Sequence, residues 1–378
     1  MLTDNELSAL QNELIEIYSK VEIELILSVA NRLQGYQTVD GTLEWNLRKL
    51  SELNVLNKDL LKIIAKYSKK TEKAIEGMLK QAMLANLDRE YINQAFKEGK
   101  TSIDYSSLKN SPNISKLLKS SVYDLGEHLS LINTKAIENT KEQYIKILNK
   151  AYVESYSGVY SYQEAIAKGI KEMAKAGIKG ASYESGRTIG IEPAVRRDTL
   201  SAVINNVNKN AIECAEEMGT NYVEVSQHLG ARTSTKSKIA NHAGWQGKVY
   251  QIEGSSAEYG NLVEETGYGE IEGLGGVNCR HRVFPYFPGI SVKKKIKVDS
   301  KKNQEVYKAS QELRKLEREF RNNKREWYAC KAIKDNTSKK KCETKAGEIL
   351  GQIKEIEDKY PDIGSNSSRT LVLEDLKI

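Results

Sequence analysis

A mainly α protein in three parts is what this sequence predicts: an elongated N-terminal helical region, a small loop-rich α+β domain and a C-terminal charged helical hairpin. Three observations carry the prediction. Apolar residues recur at spacings of three and four through most of the first 150 positions, glycine becomes dense and apolar runs become short between Val223 and Gly289, and the chain beyond Gly289 is highly charged with few apolar positions. The expected divisions are 1-150 for amphipathic helices suited to docking, 151-290 for the α+β domain with the helices before it, and 291-378 for a basic arm and tail. A chain of 378 residues is too long for one small core, which is consistent with such a division.

The helices can be taken in order. From Glu6 to Asn31 the residues Leu7, Leu10, Leu14, Ile17, Val21 and Leu25 form one stripe of an amphipathic helix. Gly41-Thr42 breaks the pattern, and a second stripe runs through Leu43, Leu47, Leu50, Leu56, Leu60 and Ile64. A third helix is expected from Thr71 to Phe96, with Ser68 or Thr71 as its cap. The segment from Gly99 to Pro112 reads as a loop. After it Ile114, Leu118, Val122, Leu125, Leu129, Ile132 and Ala136 predict a helix of about 30 residues, or about 45 Å. Ser161-x-x-Glu164 is a capping box for a helix that stops near Gly177, and Pro193 fits the first turn of another that runs to Met218.

Val223 and Val225 then begin a strand-like run that opens the glycine-dense region. Beyond it, Lys293 to Lys302 reads as a basic linker and Glu305 to Lys334 as a charged helix carrying Val306, Leu313, Leu316, Phe320 and Trp327. A second helix from Ser338 to Lys359 folds back on it and ends at Pro361, and the polar tail from Asp362 is expected to be loose until bound.

Composition excludes some classes. Charged residues make up 29% of the chain and the hydrophobic set 39%, and no apolar run reaches the roughly 18 residues of a membrane span, so no membrane partner is expected. The opening MLTDNELSAL lacks the basic and apolar regions of a secretory signal, which makes folding in a cytoplasm the expectation. Cys214, Cys279, Cys330 and Cys342 show neither CxxC spacing nor the density of a disulfide scaffold. Cys330 and Cys342 flank Asp335-Asn336-Thr337-Ser338, read as a hairpin turn across which they can face each other. The net charge of +7 is concentrated: Lys293 to Lys359 holds 21 Lys and Arg against 12 Asp and Glu. Lys293-Lys294-Lys295 and Lys339-Lys340-Lys341 suit phosphate binding, although such runs are as often a solvated helical face, and Trp327 with Tyr328 fits protein contact equally well.

Candidate chemistry is confined to the glycine-dense region, which holds three of the four histidines. His228, His242, Cys279 and His281 have the donor set for one tetrahedral zinc ion. The pair Cys279-x-His281 is awkward for it, since on a strand the two side chains crowd on one face. A second reading is metal-free nuclease chemistry, with His242 or His228 taking a proton while Arg232, Lys248 or Arg280 steadies a phosphate, and with His281 in the same cluster. The favoured reading is structural, without cofactor or catalysis: His and Arg side chains bond loop carbonyls, Trp245 and Tyr250 fill a small core, and glycines permit the turns. Gly267-Tyr268-Gly269 and Gly273 to Gly276 do not make a nucleotide site, because no GxxxxGK[ST] is present.

Six separated motifs stand in a recognisable order. They are Gly186-Arg187 with Ala194-Val195-Arg196; Val225-Ser226-x-His228-x-Gly230-Ala231-Arg232; Asn241-His242-x-x-Trp245-Gln246-Gly247-Lys248-Val249-Tyr250; Thr266-Gly267-Tyr268-Gly269; Gly273-Leu274-x-Gly276-x-Asn278-Cys279-Arg280-His281; and Pro285. Together they resemble the phage minor capsid protein 2 family of tailed phages and prophages, which is similar to the Mu F-like minor head proteins. The resemblance is strong over residues 150 to 290, covers the N-terminal helices only in general character and does not extend to the C-terminal arm. A departure is the insert from Thr233 to Ala240, which many members shorten. What the resemblance implies is a structural protein of the virion head interior, present in the host cytoplasm during assembly. Its implied partners are the portal protein, the major capsid protein and, non-specifically, packaged DNA, with roles in head morphogenesis and in DNA packaging or ejection. Some Mu F-like relatives carry toxin domains, which keeps an enzymatic alternative open.

Overall fold

The computed structural model describes residues 4–34, 42–292 and 299–363. The protein is mainly α. Helices α1 (Asp4–Leu10) and α2 (Asn12–Gln34) replace the single first helix of the sequence reading, with a break at Gln11. The break expected at Gly41, the cluster Lys293-Lys294-Lys295 and most of the tail lie outside the described residues. Helix α3 (Thr42–Asn86) is 45 residues long and runs straight through the position where a new helix was expected at Thr71. The physical reason is the absence of Gly or Pro there. The Ser68 and Thr71 hydroxyls bond back to Ala65 O and Tyr67 O within the same helix, which fits helical continuation and leaves neither residue a cap. A true cap comes at Asp88, which accepts from Glu90 N and Tyr91 N to start α4 (Arg89–Lys97).

The expected loop between Gly99 and Pro112 contains the short α5 (Tyr105–Lys109), and Pro112 belongs to the next helix. Ser111 caps α6 (Pro112–Tyr156) with Pro112 in its first turn, so this helix reaches 45 residues, or about 68 Å. The capping box at Ser161 and Glu164 forms as expected and opens α7 (Tyr162–Ala176). Tyr183 to Arg187, unassigned in the sequence, is the turn of an antiparallel hairpin between β1 (Lys179–Ser182) and β2 (Thr188–Gly190).

Helix α8 (Ile191–Glu217) joins the two halves of the core. Its Ala194, Val195, Val203, Ile204 and Val207 belong to one apolar cluster with α2, α3, α6 and α7, while Ala211 and Ala215 belong to a second cluster under a small sheet. That sheet has the order β4-β3-β5, all antiparallel, from β3 (Tyr222–Val225), β4 (Val249–Gln251) and β5 (Val283–Pro285). The short helices α9 (His242–Trp245) and α10 (Leu262–Thr266) lie in the long connections.

The charged C-terminal hairpin is present as α11 (Ser300–Ala332) and α12 (Asn336–Lys359). Its turn sits earlier than expected. Lys334 takes a left-handed conformation and Asp335 already caps α12 through Ser338 N. Leu313, Leu316 and Phe320 close on Ala346, Ile349 and Ile353 of α12. Trp327 and Tyr328 instead join Ile23 of α2, so α11 is packed against the N-terminal helices. Cys330 and Cys342 do meet across the turn, as hydrogen-bonded free thiols. Among the described residues no helix is long and apolar enough to cross a membrane.

Candidate functional site

Val225 at the end of β3 is buried, and the chain beyond it runs antiparallel to the segment that enters β5. Ser226 N donates to Arg282 O at 2.7 Å and Arg282 N donates to Ser226 Oγ at 2.9 Å. This pairing sets His228 beside His281, with ring centroids 4.3 Å apart and the rings stacked. The two residues are separated by 53 positions in sequence and meet only because both flank adjoining strands.

Gln246 completes the local frame. Its Oε1 accepts from His228 N at 3.0 Å and lies 3.0 Å from His281 Nε2. Two buried asparagines fix the same segment from behind, with Asn208 of α8 bonding His281 O and Val283 N, and Asn86 of α3 bonding Val283 O. From the other side Asn303 of α11 accepts from Gly230 N and Ala231 N and donates to Ala231 O.

His242, Cys279 and His281 come together, each offering one donor atom, and these atoms lie within 4.8 Å of one another. All three residues are buried; His242 is 3% and His281 1% exposed. Cys279 Sγ lies 3.6 Å from His281 Nδ1. The crowding expected of this pair on a strand does not arise. Asn278 takes a positive φ of 59° and β5 begins only at Val283, so residues 279 to 282 are irregular backbone, with the Cys279 and His281 side chains both buried.

Trp245 anchors the cluster, its ring 4.5 Å from that of His242 and 4.7 Å from that of His281. The indole N–H donates to Ile239 O at 2.8 Å, and Tyr250 donates to Trp245 O at 2.7 Å. Ile239 belongs to the Thr233 to Ala240 insert, which therefore supplies the acceptor that holds the tryptophan. The glycine loop closes the floor: Gly273 has no room for a side chain, since a Cβ there meets Gly267 O at 2.0 Å.

The bonding assigns the protonation. A carbonyl only accepts, so His242 Nε2–H donates to Glu272 O at 2.8 Å and its lone pair is on Nδ1. By the same argument His228 Nδ1–H donates to Leu229 O at 3.0 Å. With Gln246 Oε1 as acceptor, His281 carries its proton on Nε2 and its lone pair on Nδ1, facing the Cys279 thiol. Burial first, then the neighbouring His228, His242, Arg282 and Arg232, holds the His281 imidazole well below its ordinary pKa. Burial likewise pulls His242 down to about 4, opposed by its bond to Glu272 and assisted by Arg232 and His228. Burial pushes the Cys279 thiol up. The two imidazoles are therefore neutral at pH 7, fit for bonding carbonyls or a metal and weak as proton acceptors.

Of the phosphate-steadying candidates, Arg232 stands near enough to the histidines to help lower both, but its guanidinium is engaged with backbone. Arg232 Nη2 donates to Val277 O at 2.9 Å, Lys248 is exposed, and Arg280 is half-buried between Cys279 and His281. Sequence reasoning passed over Asn208, Asn303 and the bonding role of Gln246. Asn208 had a signal, a polar residue within the apolar stripe of Val207 and Ala211; Asn303, in a charged helix, had none.

The comparisons with known proteins agree on one kind of protein. A family model described as phage minor capsid protein 2 matches residues 2–355. A structural protein of Lactococcus phage LL-H is 23% identical over 287 residues, covering 71% of this chain and 72% of that protein. No solved structure matches the chain.

Proposed function

The chain belongs to the phage minor capsid protein 2 family, and from that premise we propose that it is a structural component of the virion head that docks on the portal protein through its N-terminal helices. In this reading residues 1-150 supply the docking faces, 151-290 a rigid folded centre and 291-378 a basic arm beside the packaged DNA and the major capsid protein. The observation that carries the reading is an apolar stripe without cover on α3. Leu47, Leu50 and Leu61 recur at spacings that place them on one helix face, and they are 61%, 56% and 51% exposed. A 45-residue helix that buries one side in the bundle and leaves leucines along another is suited to a second protein partner.

The test is co-purification of the full chain with the portal protein of the same phage. Leu47→Glu with Leu50→Glu should abolish it while the circular dichroism stays unchanged; undiminished co-purification would move the docking face elsewhere. Nuclease chemistry is the weaker reading, because the two innermost imidazoles are buried and neutral, and weak as proton acceptors. His242→Ala and His281→Ala should lower the melting temperature without altering any RNase or DNase activity.

A further inference from the structure

We propose that His242, Cys279 and His281 form a binding site for one zinc ion, with His228 outside the ligand set. The first argument is metric. Zinc takes a thiolate at about 2.3 Å and an imidazole at about 2.1 Å, and tetrahedral placement of the two puts sulfur and nitrogen about 3.6 Å apart. Cys279 Sγ and His281 Nδ1 stand 3.6 Å apart. The third donor, from His242, lies within 4.8 Å of both.

The second argument concerns the atoms around the ligands. A metal-bound histidine generally donates its other ring N–H to an acceptor that fixes tautomer and orientation. Both histidines have that partner in place: His281 Nε2 faces Gln246 Oε1 at 3.0 Å and His242 Nε2 faces Glu272 O at 2.8 Å. Each bond leaves Nδ1 as the atom with the lone pair. The Cys279 sulfur has matching support, since the backbone N–H groups of Gly275 and His281 are directed at it, as suits a thiolate. His228 differs. Its ring stacks on that of His281, and it lies outside the group of donors that converge.

Softness selects the metal. One thiolate with two imidazoles suits zinc and excludes calcium and magnesium, which take oxygen donors. Three protein ligands leave a fourth position for a solvent molecule. Loading during folding is expected, because the finished cluster is buried.

The experiment uses the full chain produced with zinc in the medium, dialysed against metal-free buffer and assayed by elemental analysis. About one zinc per chain is expected. Cobalt(II) exchanged into the wild-type chain under mild denaturation and refolding should give a thiolate-to-cobalt charge-transfer band and the intense visible bands of tetrahedral geometry. Cys279→Ser should lose the charge-transfer band, His242→Ala and His281→Ala should lose stoichiometric metal, and His228→Gln should keep both. A folded wild-type chain that retains no zinc and gives no charge-transfer band overturns the proposal without reference to any variant. Retention of the band by Cys279→Ser, or loss of metal from a folded His228→Gln, overturns the ligand assignment.

Discussion

Arg325 on α11 reaches Glu22 on α2, Nη1 to Oε2 at 3.4 Å, across 303 positions of sequence and with both side chains almost fully buried. Neither charge stands alone. Arg325 also donates to Ala174 O at 3.0 Å, and Glu22 Oε1 accepts from Ile178 N at 3.0 Å, so the pair ties the C-terminal helix to α2 and to the end of α7. Removing one partner leaves an uncompensated buried charge, which costs about 3 to 5 kcal/mol. Arg325→Ala should lower the unfolding free energy by that order in urea titration. Replacing both residues, Arg325→Met with Glu22→Leu, should cost less than either single change, and an additive double mutant would show that the pair does not interact.

A second buried carboxylate predicts an acid limit to stability. Burial pushes the Glu192 carboxyl up, but Arg321, Lys324, Arg196 and Arg325 together outweigh burial and hold it below the ordinary value of 4.5. A depressed folded pKa contributes stability that is present above the unfolded value and is lost as pH falls through the folded one. The contribution of Glu192 should thus be complete above about pH 4.5 and decline progressively below it, until pH has passed the lower folded value. Glu192→Gln should flatten the melting temperature against pH in that acid window while lowering it at pH 7. An unchanged acid slope would assign the effect to another carboxylate.

Periodicity carried the helices well and their limits poorly, for a physical reason visible at two places. The break expected near Thr71 rested on residues that can cap, but capping needs a non-helical backbone, and nothing between Ile64 and Thr71 prevents helical propagation. Ser111-Pro112, read as loop, starts a helix because proline at the first turn forfeits no hydrogen bond. At the candidate site, His242, Cys279 and His281 were legible as residue types. Their convergence was not, because it depends on the Asn278 turn and on strand pairing between segments far apart in sequence. The arm shows the same limit: Arg321, Lys324 and Arg325 stand in a helix legible only as charged, and the structure places them in contact with Glu192, Ser19 and Glu22.

Asn303 offers a test of how the arm supports the histidine loop. One buried side chain satisfies Gly230 N, Ala231 N and Ala231 O. Asn303→Ala leaves those backbone groups without their partner, at about 1 to 3 kcal/mol for each buried group stranded. Hydrogen exchange at residues 228 to 232 should accelerate well beyond the change seen in α12. Equal acceleration in both would mean only global destabilisation.

The arm's remaining cations bear on DNA. Lys293 to Lys359 carries nine more basic than acidic residues, more than the net charge of the whole chain. Arg321, Lys324 and Arg325 are buried in internal contacts and cannot face a polyanion. Lys340, Lys341 and Lys345 on the first turns of α12 are exposed, and Lys339 lies over the Trp327 ring at 5.9 Å. Lysines that neutralise phosphates release condensed counterions, so affinity for duplex DNA should fall steeply with salt and hardly depend on sequence. Each lysine that pairs with a phosphate steepens the fall of log affinity against log salt by about 0.9. Binding of the full chain to random duplex DNA, measured from low to physiological salt, should therefore show a steep negative slope. Lys340→Gln, Lys341→Gln and Lys345→Gln together should make that slope shallower by up to about 3. A flat salt response, or no binding at low salt, would leave the hairpin as an element that braces α2 and α7 and meets protein alone.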